Sequence, residues 1–190
     1  SSGMNGLADY IHSRGLKAGV WSAPMVHDDA WAKQHSDLFV KNSSGELASG
    51  RWTGHPIDGS NLKVHSDYLA PMYGGLRKMG WDYFKVDSIR HLRYEGYNSF
   101  SDYFTKKGVD REAAYRSVFT TIRKQIGDAY FLACWGIRPE LIGLADACRI
   151  GDDGFAFAGL SQFNSWNNVI WRNDPDHIVL SPERSEEHTS

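Results

Sequence analysis

The chain has 190 residues, 41% of them hydrophobic, 23% charged and 13% aromatic, and carries a formal net charge of −2. These proportions belong to a globular domain and exclude a disordered segment, a collagen-like repeat and a small disulfide scaffold. The charge balance provides no basic face for nucleic acid, and no apolar run approaches the roughly 20 residues that cross a bilayer.

In chain order, Ser1–Gly6 leads into an amphipathic helix with Leu7, Ala8 and Ile11 on one face and Gly15 beyond its end, not into a secretory leader. Leu16–Trp21 reads as a strand and Asp28–His35 as a short helix. Phe39–Leu47 reads as a hairpin about Asn42-Ser43-Ser44-Gly45. A helix is predicted over Val64–Met79, stopped by Gly80, then a strand over Asp82–Asp87. Ser88 to about Val109 reads as a polar, aromatic loop. Asp110 and Gly127 bracket a helix over Arg111–Ile126. Ala129–Cys134 is a strand, Pro139–Leu144 a helical turn and Ala147–Gly151 a strand. Leu160–Ile170 reads as helical and His177–Leu180 as a last short strand. Cys134 and Cys148 lie in apolar strand runs, which favours free buried thiols over a disulfide. Residues 1–183 are expected to form one domain that begins inside a fold, and residues 184–190 to be a non-native tail.

The strand–helix–strand order implies parallel strands and an α/β architecture. No glycine-rich phosphate loop is present. In an α/β barrel the active site lies at the C-terminal strand ends. The residues closing the strands are Trp21, with His27, Asp28 and Asp29 following; Lys85 and Asp87; Cys134 and Trp135; Arg149, Asp152 and Asp153; then Asn173, Asp174 and Asp176. Carboxylates on separate strand ends suit glycoside hydrolysis, which needs one ionised nucleophile and one protonated acid. Lys85 shares a strand face with Asp87 and would keep it ionised. Repulsion between Asp152 and Asp153 would raise one of them, offset in part by Arg149. Plainer readings stand beside these: a surface ion pair for Lys85 and Asp87, a solvated turn for Asp152-Asp153-Gly154, a helix cap for Asp58, and a rigid turn for Asp174-Pro175-Asp176. His27, His35, His55 and His65 lack metal-ligand spacing and read as solvated or core histidines; no metal or organic cofactor is expected, because two carboxylates supply both proton and nucleophile. Trp31, Trp52, Trp81 and Trp166 are expected to pack.

These segments resemble the retaining α-galactosidases of glycoside hydrolase clan D, families 27 and 36, from about Leu7 to Leu180. Leu7–Trp21 is similar to the helix entering their third barrel strand, and Ile57–Asn61 to a segment before the next helix. Tyr83-Phe84-Lys85-Val86-Asp87 resembles the nucleophile strand, Cys134-Trp135-Gly136 a family 36 loop, Arg149–Asp153 the acid/base strand, and Trp171–Asp176 the seventh-strand region. The resemblance implies a partial (β/α)8 barrel, roughly strands 3 to 7, lacking 1, 2 and 8. It implies a retaining exo-glycosidase acting on terminal α-linked galactose of an oligosaccharide or glycoconjugate, with Asp87 as nucleophile and Asp153, four residues after Arg149, as acid/base. Lys85, Arg149, Trp21, Asp58, Cys134, Trp135, Asp152, Asp174 and Asp176 would bind substrate. The family's Trp-Asp-Asp segment and the family 27 glutamate have no counterpart here. An α-N-acetylgalactosaminidase, an enzyme of isomalto-linked glucans, a galactosyltransferase, or a non-catalytic carbohydrate-binding relative therefore stays open.

Overall fold

The computed structural model describes residues 3–134, 138–149 and 170–174. Five strands, β1 (Gly19–Ser22), β2 (Tyr83–Val86), β3 (Tyr130–Ala133), β4 (Ala147–Arg149) and β5 (Arg172–Asp174), form one sheet in the order β1-β2-β3-β4-β5. Every pair is parallel. Each strand thus adds beside the one before it, without the reversal of order that marks a doubly wound sheet. This is the winding of part of a (β/α)8 barrel.

The helices α1 (Met4–Ser13), α3 (Ala70–Lys78) and α6 (Arg111–Ile126) precede β1, β2 and β3 respectively. The Asp110 carboxylate accepts the Glu112 and Ala113 amides at 2.8 and 3.3 Å and starts α6, and Gly127, at φ 61°, ends it. Between these caps Ala114, Tyr115, Val118, Phe119, Ile122 and Ile126 are buried on one stripe. They share one core cluster with the strand residues Phe84, Val86, Phe131 and Ala133, all inaccessible to solvent. Each such large side chain contributes about 1.5–3 kcal/mol by leaving water. A π-helical turn, Val64–Leu69, runs directly into α3, so the predicted Val64–Met79 helix is continuous but tighter at its end than at its start.

Two excursions cover the C-terminal ends of the strands. The first, between β1 and α3, carries the short helix α2 (Asp29–Gln34), whose Asp28 cap accepts the Trp31 amide at 3.0 Å, and a turn about Asn42 whose side chain accepts the Ser44 and Glu46 amides. The hairpin expected over Phe39–Leu47 is present as an isolated antiparallel bridge between Lys41 and Leu47.

The second excursion corrects the sequence reading. Ser88–Val109 is helical: α4 (Ile89–His91), a π-helical segment Leu92–Asn98, and α5 (Ser101–Lys107). Its buried face, Ile89, Leu92, Arg93, Gly96, Tyr97 and Phe104, includes an arginine. Arg93 pairs there with Glu112 and Glu140 and bonds Asn98. The Tyr97 hydroxyl donates to the Ile57 carbonyl at 2.9 Å and accepts the Gly59 amide at 2.8 Å, tying the two excursions together. Cys134 and Cys148 are buried thiols outside any disulfide, as expected. The strand expected at His177–Leu180 and most of the helix at Leu160–Ile170 lie outside the described residues, as does the tail 184–190; β5 instead falls within the Trp171–Asp176 segment.

Candidate active site

Strand register builds the site. Side chains alternate along a strand, and the residues opposite the helical layer face inward. Trp21 pairs with Lys85, Lys85 with Leu132, Leu132 with Ala147 and Ala147 with Arg172. Two residues further along each strand stand Asp87, Cys134, Arg149 and Asp174, of which Arg149 and Asp174 are paired directly. The Asp87 amide bonds the Ser22 carbonyl at 2.8 Å and the Cys134 amide bonds the Val86 carbonyl at 2.9 Å, which carries the ladders up to this row. Four residues singled out in the sequence thus form one row across four strands at their C-terminal ends, with Lys85 and Trp21 one row below.

Two donors fix the Asp87 carboxylate. The Trp21 indole Nε1 donates to its Oδ2 at 2.9 Å, and the Ser88 amide donates to its Oδ1 at 2.6 Å. The second bond requires a turn: Ser88 sits at φ 58°, the one non-glycine residue with positive φ among the described residues. A left-handed serine costs about 1–2 kcal/mol, and strain of this kind collects where a side chain must be aimed. Burial pushes the Asp87 carboxyl up, but the Trp21, Ser88 and Cys134 donors and the Arg149 charge outweigh it and hold the group below the usual aspartate range. The sequence reading gave this task to Lys85; the structure gives it first to hydrogen-bond donors, with Arg149 as the leading cation.

Cys134 is 2% exposed. Burial, then the Asp87 charge, pushes its thiol up to about 12, so it faces Asp87 as a neutral S–H donor. Arg149 is also 2% exposed, a cation enclosed between Cys134 and Asp174. Trp21, by contrast, is 59% exposed at the mouth.

Asp58 is placed differently. It is 0% exposed, and its carboxylate accepts the Ser60 amide at 2.9 Å, the Ser60 hydroxyl at 2.6 Å, the Tyr103 hydroxyl at 2.8 Å and the Lys107 ammonium at 2.5 Å. Burial raises its carboxyl, and these donors lower it past the ordinary value. The group is a buried anchor between the two excursions and has no face open to a sugar. Asp29, the first residue of α2, is engaged by His55 Nε2 at 2.8 Å. Asp174 lines an open cavity of about 640 Å³ that runs past Leu132 to Tyr83 and Tyr130 and on to Lys17, Asp82 and Asp128 at the opposite strand ends, away from Lys85 and Asp87. Trp135, Asp152, Asp153 and Asp176 lie outside the described residues. Among the described residues no group of three or more His, Cys, Asp or Glu side chains is placed to hold a metal ion.

Sequence reasoning assigned Trp52 to packing, as it did Trp81. Trp81 is 2% exposed, but Trp52 is 54% exposed and lies against His91, just beyond Asp87. The signal that marks its support is the helical spacing of His91 and Glu95, an i,i+4 pair at 3.7 Å.

No family model matches the chain. It is 28% identical over 92 residues to alpha-galactosidase 1 of Pediococcus pentosaceus, a stretch covering 47% of this chain and 12% of that protein. The fold is similar to that of the α-galactosidase of Thermus thermophilus in complex with p-nitrophenyl α-D-galactopyranoside, with a TM-score of 0.70, 22% identity, and coverage of 97% of this chain and 43% of that one. The glycoside hydrolase domain of PelA from Pseudomonas aeruginosa is similar at a TM-score of 0.60 and 15% identity, over 96% of this chain and 75% of that one. The chain therefore spans about an eighth of the curated relative it matches and less than half of the Thermus enzyme. In sequence over that shorter stretch and in fold over almost its entire length, the chain resembles α-galactosidases.

Proposed function

We propose that this chain supplies the nucleophile side of a retaining exo-glycosidase that releases terminal α-linked galactose. The observation that carries the reading is the Asp87 carboxylate, kept ionised at a strand end by aimed donors and set in a row with Arg149. A carboxylate so held is a competent nucleophile at neutral pH, and it needs no base to activate it. One Asp87 oxygen attacks the anomeric carbon as the bond to the leaving oxygen breaks. Asp153 gives its proton to that oxygen. Water then attacks the same carbon, Asp153 takes the water's proton, and the ester to Asp87 is released. Lys85 and Arg149 bind hydroxyls of the terminal ring, and Cys134, Trp21 and Asp174 border it, with Trp135, Asp152 and Asp176 assigned to the same pocket. The similarity to α-galactosidases, two of whose structures are complexes with p-nitrophenyl α-D-galactopyranoside and with stachyose, supports this substrate class.

The test uses the complete gene product that contains this chain. Asp87→Asn should lower turnover of an aryl α-galactoside by roughly 10⁴-fold or more and remove the covalent glycosyl-enzyme seen by mass spectrometry. Asp153→Asn should spare the first step for substrates with good leaving groups, which need little proton assistance. Equal losses on good and poor leaving groups, or an active Asp87→Asn enzyme, would refute the assignment.

A further inference from the structure

Trp52 is among the most exposed aromatic side chains of the described residues and is also firmly supported. The Trp52 and Thr53 amides both donate to Glu95 Oε2, at 2.7 and 2.9 Å, which clamps the turn carrying Trp52 onto the segment that follows β2. The fit leaves no slack: a Cβ on Gly50 would lie 2.8 Å from Glu95 and 2.7 Å from Thr53. The Trp52 ring lies nearly parallel to His91, with centroids 5.8 Å apart at 29°, and the Arg51 guanidinium stands 5.1 Å from its centroid. Yet 54% of Trp52 remains open to solvent. Core packing alone does not account for an indole whose backbone is fixed at two amides while its ring is left uncovered.

Its position relative to Asp87 narrows the occupant. His91 follows Asp87 by four residues, so their Cα atoms are at most about 14 Å apart. Tyr94, 46% exposed, lies one turn further on, with the Arg138 guanidinium donating to its hydroxyl at 3.0 Å. A flat apolar ring, more than half exposed and backed by guanidinium and imidazole groups, matches a pyranose, which offers a C–H face and a rim of hydroxyls. The acids that balance His91 and Arg138 are the chain's own Glu95 and Glu140, so no acidic protein partner is called for, whereas sugar hydroxyls accept from such donors directly.

We infer that the Trp52–His91 stack is the platform for the leaving-group sugar, the ring joined to the terminal galactose, and that it sets preference for oligosaccharides over simple galactosides. This inference rests on the glycosidase reading above. The test measures kcat/KM of the complete gene product on raffinose, which carries a sugar leaving group, and on α-galactosyl fluoride, which carries none. Trp52→Ala should lower the ratio of raffinose to fluoride kcat/KM about tenfold, and Trp52→Phe, which keeps a flat ring, should recover most of it. An unchanged ratio, whether from equal losses or from none, would overturn the platform and leave the glycosidase reading intact. A wild-type protein that hydrolyses neither substrate would overturn the glycosidase reading itself, and this inference with it.

Discussion

Replacing Asp58 by asparagine separates a structural anchor from a sugar ligand. The wild-type carboxylate meets four donors and is 0% exposed, while the side chain of its ionic partner Lys107 is 38% exposed. Breaking a buried ion pair from one side costs about 3–5 kcal/mol. Because the Lys107 ammonium can turn to water, the lower end, about 3 kcal/mol, applies here. The asparagine keeps one acceptor for Ser60 but turns an N–H₂ donor toward Tyr103 or Lys107, so the bonds are not recovered. For a domain of this size that loss lowers Tm by roughly 6–12 °C. The pH dependence has a fixed sign. The folded-state carboxyl is depressed, so its contribution is complete above the ordinary aspartate value of 3.8 and is lost as pH falls through the lower folded value. Thermal denaturation of the wild-type and Asp58→Asn gene products at pH 7 and in strong acid reads both effects. The gap in Tm should be wide at pH 7 and should close in acid. An unchanged Tm at pH 7, with a loss of galactoside affinity instead, would refute the anchor and return Asp58 to the sugar pocket.

Two further outcomes follow from the Asp87 row. Trp21→Phe removes the indole N–H from Asp87 Oδ2, so the carboxyl rises and the acid limb of the kcat/KM profile moves to higher pH; a limb that stays in place would show that the indole does not tune the nucleophile. Cys134, with its thiol pushed from 9.0 up to about 12, should carry about 10³-fold less thiolate than a free cysteine and resist iodoacetamide at neutral pH until the protein is unfolded. Rapid labelling of the folded protein, followed by peptide mapping to Cys134, would contradict its enclosure.

Parts of this architecture are written locally and were legible. Asp110 and Gly127 punctuate α6 because capping is decided within a few residues of the helix end. The apolar run Tyr130–Ala133 is a strand because a parallel strand covered on both faces has little room for polar side chains. The alternation Lys85–Asp87 put both side chains on one face, and the ladder placed them beside Cys134 and Arg149. Other parts are written at a distance. Ser88–Val109 looked like a loop because Arg90, His91, Arg93 and Glu95 mask the sparse apolar stripe of Ile89, Leu92 and Tyr97, and because a π-helical stretch shifts the usual period. Arg93 is buried there only because Glu112 and Glu140 arrive from later in the chain. Asp58 could not be told from a sugar ligand, since Tyr103 and Lys107 lie 45 and 49 residues away. Trp52 was misjudged for the same reason: its support comes from Glu95, 43 residues on.

The row of Asp87, Cys134, Arg149 and Asp174 draws each member from a different strand of one ladder. The backbone pairing therefore sets the distances between them, and no member is spaced by its own flanking loop. Selection acting on such a layout can exchange the thiol for another small group, or lengthen a neighbouring loop, while Asp87 keeps its address. Under the proposed function, a new sugar preference is then reachable by single-codon steps that leave the reaction running throughout.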